Sequence, residues 1–315
     1  MTGTPRGGRI RVVVDNDLGG DPDGLVQLAH HALSPSVDLR LVIGSHLRPG
    51  DPFDPSDRTA DNAAALAREV LELAGRTDVP VLAGSNVGLA DPGTPIRSAA
   101  AEALVAEAMR EDVDTPLFVC AGAGLTEVAS AWLLEPRIAE RLTLVWIGGP
   151  EHPGLAVPPP GAMPVEYNLL IDVTAGSVVF GQSAIPIWQV PRDAYRQTLM
   201  SFAEIELRMA PRGPLGARLF AALDQVRTMA AGHGFDIGET YVMGDSPLVL
   251  LTALQSSFEP DPSSSRHVVR DTPGIGADGQ YRPVAGARPL RVYTHLDNRL
   301  MFEDLFAKLE RHSRR

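Results

Sequence analysis

The chain has 315 residues, 44% of them hydrophobic and 21% charged, with a formal charge of −11. That acidity argues against nucleic-acid polymers and anionic membranes as partners, because both require a basic surface, but it leaves a small neutral substrate open. No apolar run approaches the ~20 residues of a membrane helix, no signal-peptide core is visible, and the lone Cys120 cannot form an internal disulfide, so a cytoplasmic protein is expected.

In chain order, residues 9–14 form an apolar, β-branched strand that stops at Asp15, Asn16, Asp17, Leu18, Gly19, Gly20, Asp21, Pro22, Asp23 and Gly24. Residues 25–33 follow as a helix with Leu25, Leu28, Ala29 and Ala32 on one face. A strand at 39–43 leads into a long Pro- and Asp-rich loop, 44–58, of the kind that carries function. Helix 60–74, strand 79–82, helix 96–109, strand 117–120, helix 126–134 and strand 142–147 continue the alternation. Repeated βα units with nearly continuous apolar strands predict one α/β domain over 1–315, its mostly parallel central sheet flanked by helices. Residues 185–190, including Trp188, read as a core strand. Helices are expected at 203–212, 215–231 and 247–254, a Pro/Ser-rich loop at 256–265, a β-hairpin within 267–293 and a closing helix at 300–311. The basic tail 312–315 is expected to be solvated.

The chemistry is concentrated after the first strand. Ligands of parallel sheets bind at the carboxyl ends of strands, where this loop starts. Four carboxylates on one short loop repel one another unless a cation lies among them, and oxygen donors without Cys or His suit a hard ion, Ca²⁺ or Mg²⁺. The plain alternative is a solvated acidic turn. Asp15 suits loop bracing better than ligation. An EF-hand fails because Val26 stands where a bidentate Glu is needed and a strand, not a helix, precedes the loop. A haloacid-dehalogenase-type phosphohydrolase fits poorly, since the only Lys is Lys308 and Gly19 replaces the expected Thr or Val. Cys120 is expected to pack in the core, and His46, His233 and His295 to be structural or exposed.

Several segments in order resemble the inosine–uridine-preferring nucleoside hydrolase family. The Asp15–Gly24 run is similar to a lengthened form of its opening Asp-x-Asp-Pro-Gly-x-Asp-Asp. Asn62 and the stretch 71–81 resemble the family's next helix and strand, and Gly122-Ala123-Gly124-Leu125-Thr126-Glu127 its Gly-Pro-Leu-Thr-Asn turn. Ile147-Gly148-Gly149, then Val165-Glu166-Tyr167-Asn168 with Asp172, and finally Gly244-Asp245-Ser246-Pro247-Leu248 match its later motifs. The resemblance implies a Ca²⁺-dependent N-glycosidase that cleaves a ribonucleoside to free base and ribose. It implies Asp17 as the base that deprotonates water, and Asp17, Asp21, Asp23, Asp245 and the Gly122 carbonyl as the ion's ligands. Asp23, Glu166 and Asn168 would bind the sugar. Glu166 and Asn168, two apart on an extended piece, should face one side. Asp245 could instead be only the N-cap of the helix that starts near Pro247, a role compatible with ligation. A homodimer or homotetramer is also implied.

The chain departs from that pattern at three places. Gly24 or Pro22 stands where the family has a carboxylate, Gly244 where it has a His near the departing base, and Pro160 where it has an Asn. These departures leave open a relative that binds a nucleoside or sugar but turns it over poorly.

Overall fold

The computed structural model describes residues 9–258 and 263–315. Twelve strands are formed among them: β1 (Ile10–Asn16), β2 (Val37–Gly44), β3 (Val81–Ala83), β4 (Leu117–Ala121), β5 (Leu142–Ile147), β6 (Ile187–Val190), β7 (Leu199–Ser201), β8 (Thr240–Val242), β9 (Arg266–Asp271), β10 (Gly274–Ile275), β11 (Tyr281–Arg282) and β12 (Pro289–His295). Eight make one sheet in the order β3-β2-β1-β4-β5-β6-β12-β9. All neighbours in it are parallel except β12 and β9. β7 pairs with β8, and β10 with β11, as short antiparallel ribbons.

Helices on both faces explain why the middle of β1, Val12–Val14, is apolar without alternation. Val12 and Val14 pack on one side with Leu25 and Leu28 of α1 (Asp23–Ala32) and with Ala63 and Val70 of α2 (Thr59–Leu73). Val13 packs on the other with Leu104 of α3 (Ala99–Ala108) and Val128 of α4 (Thr126–Leu134). The alternation of a strand then sends Asp15 and Asn16 to opposite faces. Strand order reverses between β1 and β4, so their carboxyl ends open a crevice at the switch point. The four-Asp loop leaves β1 at that point.

The alternating units of the first half stand where the residues predict, with shifts of a few residues at their ends. Later elements differ more. Residues 203–212 are not one α-helix; Phe202–Glu204 is a short turn followed by the π-helical segment Ile205–Met209. The helix expected at 247–254 is regular only over Pro247–Leu250. The predicted hairpin is β10–β11, turning at Asp278 and Gly279, where φ is +70°. The closing helix runs Asn298–Ser313, and His312 Nε2 lies 3.0 Å from the Leu73 carbonyl, so that end is docked and not simply solvated. Part of the predicted 256–265 loop, residues 259–262, lies outside the described residues. Trp188 packs in β6 against Phe118, ring centroids 5.3 Å apart. Among the described residues no helix is long and apolar enough to cross a membrane.

Candidate active site

A cleft of about 320 Å³ opens at the switch point, bounded by Asp17, Asp21, Asp23 and Asp245 on one wall and Glu166, Tyr167, Asn168 and Tyr195 on another. Gly122, Phe53, Ile147, Arg196, Val242 and Gly244 complete its lining. Every residue assigned to the site from sequence is therefore brought to one place, across more than two hundred residues of chain.

The first wall holds carboxylates that face one another. Asp17 is buried, and burial together with Asp245, Asp21 and Asp51 raises its pKa well above the usual carboxylate range. Burial, Asp245 and Asp21 do the same to Asp23, whose Oδ2 accepts the Asp245 amide at 2.8 Å. Asp245 rises to about 7, through burial first, against the opposing hydrogen bond from Asn16. Asp21 sits exposed at the rim and accepts the Tyr241 hydroxyl. Asp245 does not cap the following helix, whose N-cap position is Ser246 and carries no side-chain bond; its carboxylate turns into the cleft instead.

On the opposite face of β1, Asp15 accepts the Ser45 hydroxyl and is pushed up to about 8 by burial and by Glu127. It braces the β2 loop and does not line the cleft. Cys120 is buried and pushed up to about 12, so it is inert packing. His46 is buried, with its ring nitrogens 3.0 Å from the Leu47 carbonyl and from Thr126 Oγ1.

The second wall is built differently. Residues 166–168 are not extended: Tyr167–Ile171 is a short helix, and Glu166 is its N-cap. Its Oε1 accepts the Asn168 amide at 3.2 Å and the Tyr195 hydroxyl at 2.9 Å. Its Oε2 accepts the Gly149 amide at 2.7 Å and the Leu169 amide at 3.1 Å. Gly149 can supply that N–H because its φ is +85°, and a Cβ there would meet Tyr281 and Gln189 at under 2.5 Å. The capping turn still aims Asn168 into the cleft, where its Nδ2 is fixed on the Ile147 carbonyl at 2.8 Å. The loop after β2 contributes Phe53, held by the Tyr167 hydroxyl on Asp51 at 2.5 Å.

The donors of the first wall are the hard oxygens that suit Ca²⁺, but their arrangement does not fit one. Among the described residues no three His, Cys, Asp or Glu side chains are grouped so as to hold an ion. Two features account for this. Gly24 offers no carboxylate, although a Cβ there would lie 3.2 Å from Asp245 Oδ2. The side-chain amide of Asn16 occupies the space beside Asp245, its Nδ2 at 2.9 Å from the same oxygen. Gly122 leaves room for this pair, since a Cβ there would meet Asn16 Nδ2 at 2.6 Å and Asp245 Oδ1 at 2.7 Å.

Sequence reasoning missed Tyr195, Phe53 and Asn16. Asn16 stood in plain view between two aspartates, and Gln27 and His31 lie one helical turn apart behind it, a spacing that signals one buried face. Nothing local marked Tyr195, which reaches Glu166 only through the packing after β6.

The fold and cleft together define an α/β protein with a carboxylate-lined cleft at the switch point of its sheet. The sequence profile of the inosine-uridine preferring nucleoside hydrolases matches residues 12–299, and the chain belongs to that family, whose members hydrolyse N-glycosidic bonds. Solved structures agree on the fold. A plant nucleoside hydrolase superposes with a TM-score of 0.69 at 18% identity, and a purine-preferring ribonucleoside hydrolase from Gardnerella vaginalis with 0.72 at 15%. An inosine-uridine preferring nucleoside hydrolase from Bacillus anthracis gives 0.69 at 16%. Each superposition covers 96% of this chain and 99% of the other. No curated protein sequence matches the chain. The family membership sets aside the phosphohydrolase and EF-hand alternatives.

Proposed function

We propose that the chain is an N-ribohydrolase in which Asp17 takes a proton from the attacking water and the surrounding carboxylates stabilise an oxocarbenium-like ribosyl cation. The observation that carries this is the placement of Asp17 in the cleft, buried and crowded by Asp245 and Asp21, which raises its pKa above the usual carboxylate range and so makes it a stronger proton acceptor. Asn168 and Tyr195 face the sugar hydroxyls, Asn168 pre-oriented by its bond to Ile147, while Glu166 serves the sugar end by holding the Tyr195 hydroxyl and the turn that carries Asn168 in place. Asp23 contributes to the sugar end while fixed on the Asp245 amide. Bound Ca²⁺ would supply water activation and a grip on the sugar diol, but the donor arrangement does not fit it, and no step here passes through an ion. A homodimer or homotetramer completes the proposal, carried by the resemblance and checked by sedimentation.

Leaving-group protonation is the weak half of the site. Gly244 presents no side chain, and a Cβ there would lie 3.6 Å from Tyr195 Cδ2 and 3.3 Å from Asp23 Oδ2. Tyr241 is engaged on Asp21, and His233 is exposed with Nδ1 2.9 Å from the Met229 carbonyl. Tyr195 donates to Glu166, and burial and that carboxylate raise its pKa, which makes it a poor acid. The test is a panel of purine and pyrimidine ribonucleosides alongside p-nitrophenyl riboside, whose leaving group needs no proton. Cleavage of the riboside well above the nucleosides is the expected result. The same Gly244 observation favours a second reading, a nucleoside- or sugar-binding relative without turnover. Binding of a ribonucleoside with no cleavage of any panel member would select that reading.

A further inference from the structure

A buried polar chain runs inward from the cleft, and it determines what Asn16 presents to Asp245. Thr252 donates its hydroxyl to the Leu248 carbonyl, a group that can only accept. Thr252 Oγ1 must then accept from His31 Nε2, 3.0 Å away, which leaves His31 Nδ1 bare. Gln27 Nε2 donates to that nitrogen, so Gln27 turns its Oε1 toward Asn16. Asn16 answers with its Nδ2, 3.2 Å from Gln27 Oε1 and 2.9 Å from Asp245 Oδ2. Asn16, Gln27 and His31 are all at most 0% exposed, and the Asn16 Oδ1 left over by this orientation has no hydrogen-bond partner. Two hydrogens bound to one nitrogen thus serve two acceptors, and a backbone carbonyl four links away dictates that they do.

We infer that the Asn16 side-chain amide is the chain's own substitute for a divalent cation, holding Asp245 in place and barring Ca²⁺ from the cleft. Ca²⁺ needs six to eight oxygens at about 2.3–2.6 Å. Here one oxygen of Asp245 is taken by an N–H, whose positive end would face any ion placed beside it. Gly24 withholds a further carboxylate, and Gly24 and Gly122 flank the Asn16–Asp245 pair from two sides with no side chain in the way. The inference concerns the cleft of the proposed hydrolase but does not rest on turnover, because its test reads ion binding and melting.

Chelator-stripped protein is titrated with Ca²⁺ by calorimetry, and its melting temperature is followed in parallel. The wild type should give no saturable heat and no shift in melting up to about 1 mM ion, the weak end of protein Ca²⁺ sites. The isosteric Asn16→Asp replaces the donor with a carboxylate against Asp245. It should melt several degrees lower in chelator and recover as Ca²⁺ is added, with one-site heat. Saturable one-site binding by the wild type at micromolar ion would overturn the inference, as would an Asn16→Asp protein equally stable in chelator and indifferent to Ca²⁺. If Asn16→Asp does not fold without ion, the wild-type titration decides alone. An ¹⁵N spectrum adds a direct reading: the Asn16 side-chain amide protons should be slow to exchange and unmoved by Ca²⁺. Failure of the hydrolase reading would leave these outcomes untouched.

Discussion

The two walls of the cleft place the same chemical group in opposite situations. Glu166 is as buried as Asp17, yet four donors converge on its two oxygens, whereas Asp17 faces Asp245, Asp21 and Asp51. Burial pushes both upward, but hydrogen bonds hold Glu166 back and like charges drive Asp17 further. A satisfied carboxylate is a structural part that can orient a ligand. A crowded one is destabilised in its charged form and gains by taking a proton, which is what a general base must do.

Substitution should separate the walls in sign as well as size. Asp17→Asn should lower kcat by ~10²–10⁴-fold, the usual cost of removing a positioned base. The same variant should be no less stable than the wild type, because it relieves like-charge repulsion among buried groups. An inactive Asp17→Asn protein that also melts early would break the comparison, since Asp17 would then be a structural carboxylate like Glu166.

Glu166→Gln tests the other wall. An amide in place of the carboxylate turns a donor toward groups that themselves donate, at a cost of ~1–3 kcal/mol. Loss of the N-cap of Tyr167–Ile171 acts in the same direction. Denaturant unfolding should show that loss, with a raised KM from a misplaced Asn168. Unchanged stability would mean that the four bonds to Glu166 do not form in solution.

A smaller effect tests burial away from the cleft. His30 is held to about 4 by burial, against the helping carboxylate of Asp304 at 2.8 Å, so it stays neutral in the native state. The unfolded chain, with His near 6.5, binds the proton first, so stability from His30 is present above that pH and is lost as pH falls toward about 4. Raised carboxylates in the cleft act with the opposite sign, so the effect is read as a difference. Between about pH 6.5 and about pH 4.5 the wild type should lose roughly 1 kcal/mol per pH unit more than His30→Gln in urea unfolding. Parallel slopes for the two proteins would refute a neutral buried His30. At the bottom of the scale, His233→Ala should leave activity unchanged, since this exposed side chain is outside the cleft lining. A clear drop in the nucleoside panel would make it the missing acid.

The sequence alone carried the alternation of strands and helices, the switch-point loop and the family motifs, because each is written in short-range pattern. Apolar runs such as Val12–Val14 need helices on both faces, and ligands of such a sheet bind at the carboxyl ends of its strands, where the Asp- and Gly-rich loop begins. It did not carry the capping turn at Glu166, because a Glu before a short helix looks the same as one in an extended piece until Gly149 and Tyr195 arrive from elsewhere. It also did not carry the role of Asn16. Whether that side chain presents an oxygen or hydrogens to Asp245 depends on Gln27, His31, Thr252 and the Leu248 carbonyl. With Asn16 itself, those residues run from position 16 to position 252 of the chain in one buried line, and only tertiary structure joins them. Hydrogen-bond direction is a property of the whole line, since each donor is set by the acceptor beyond it, and no single residue type encodes it.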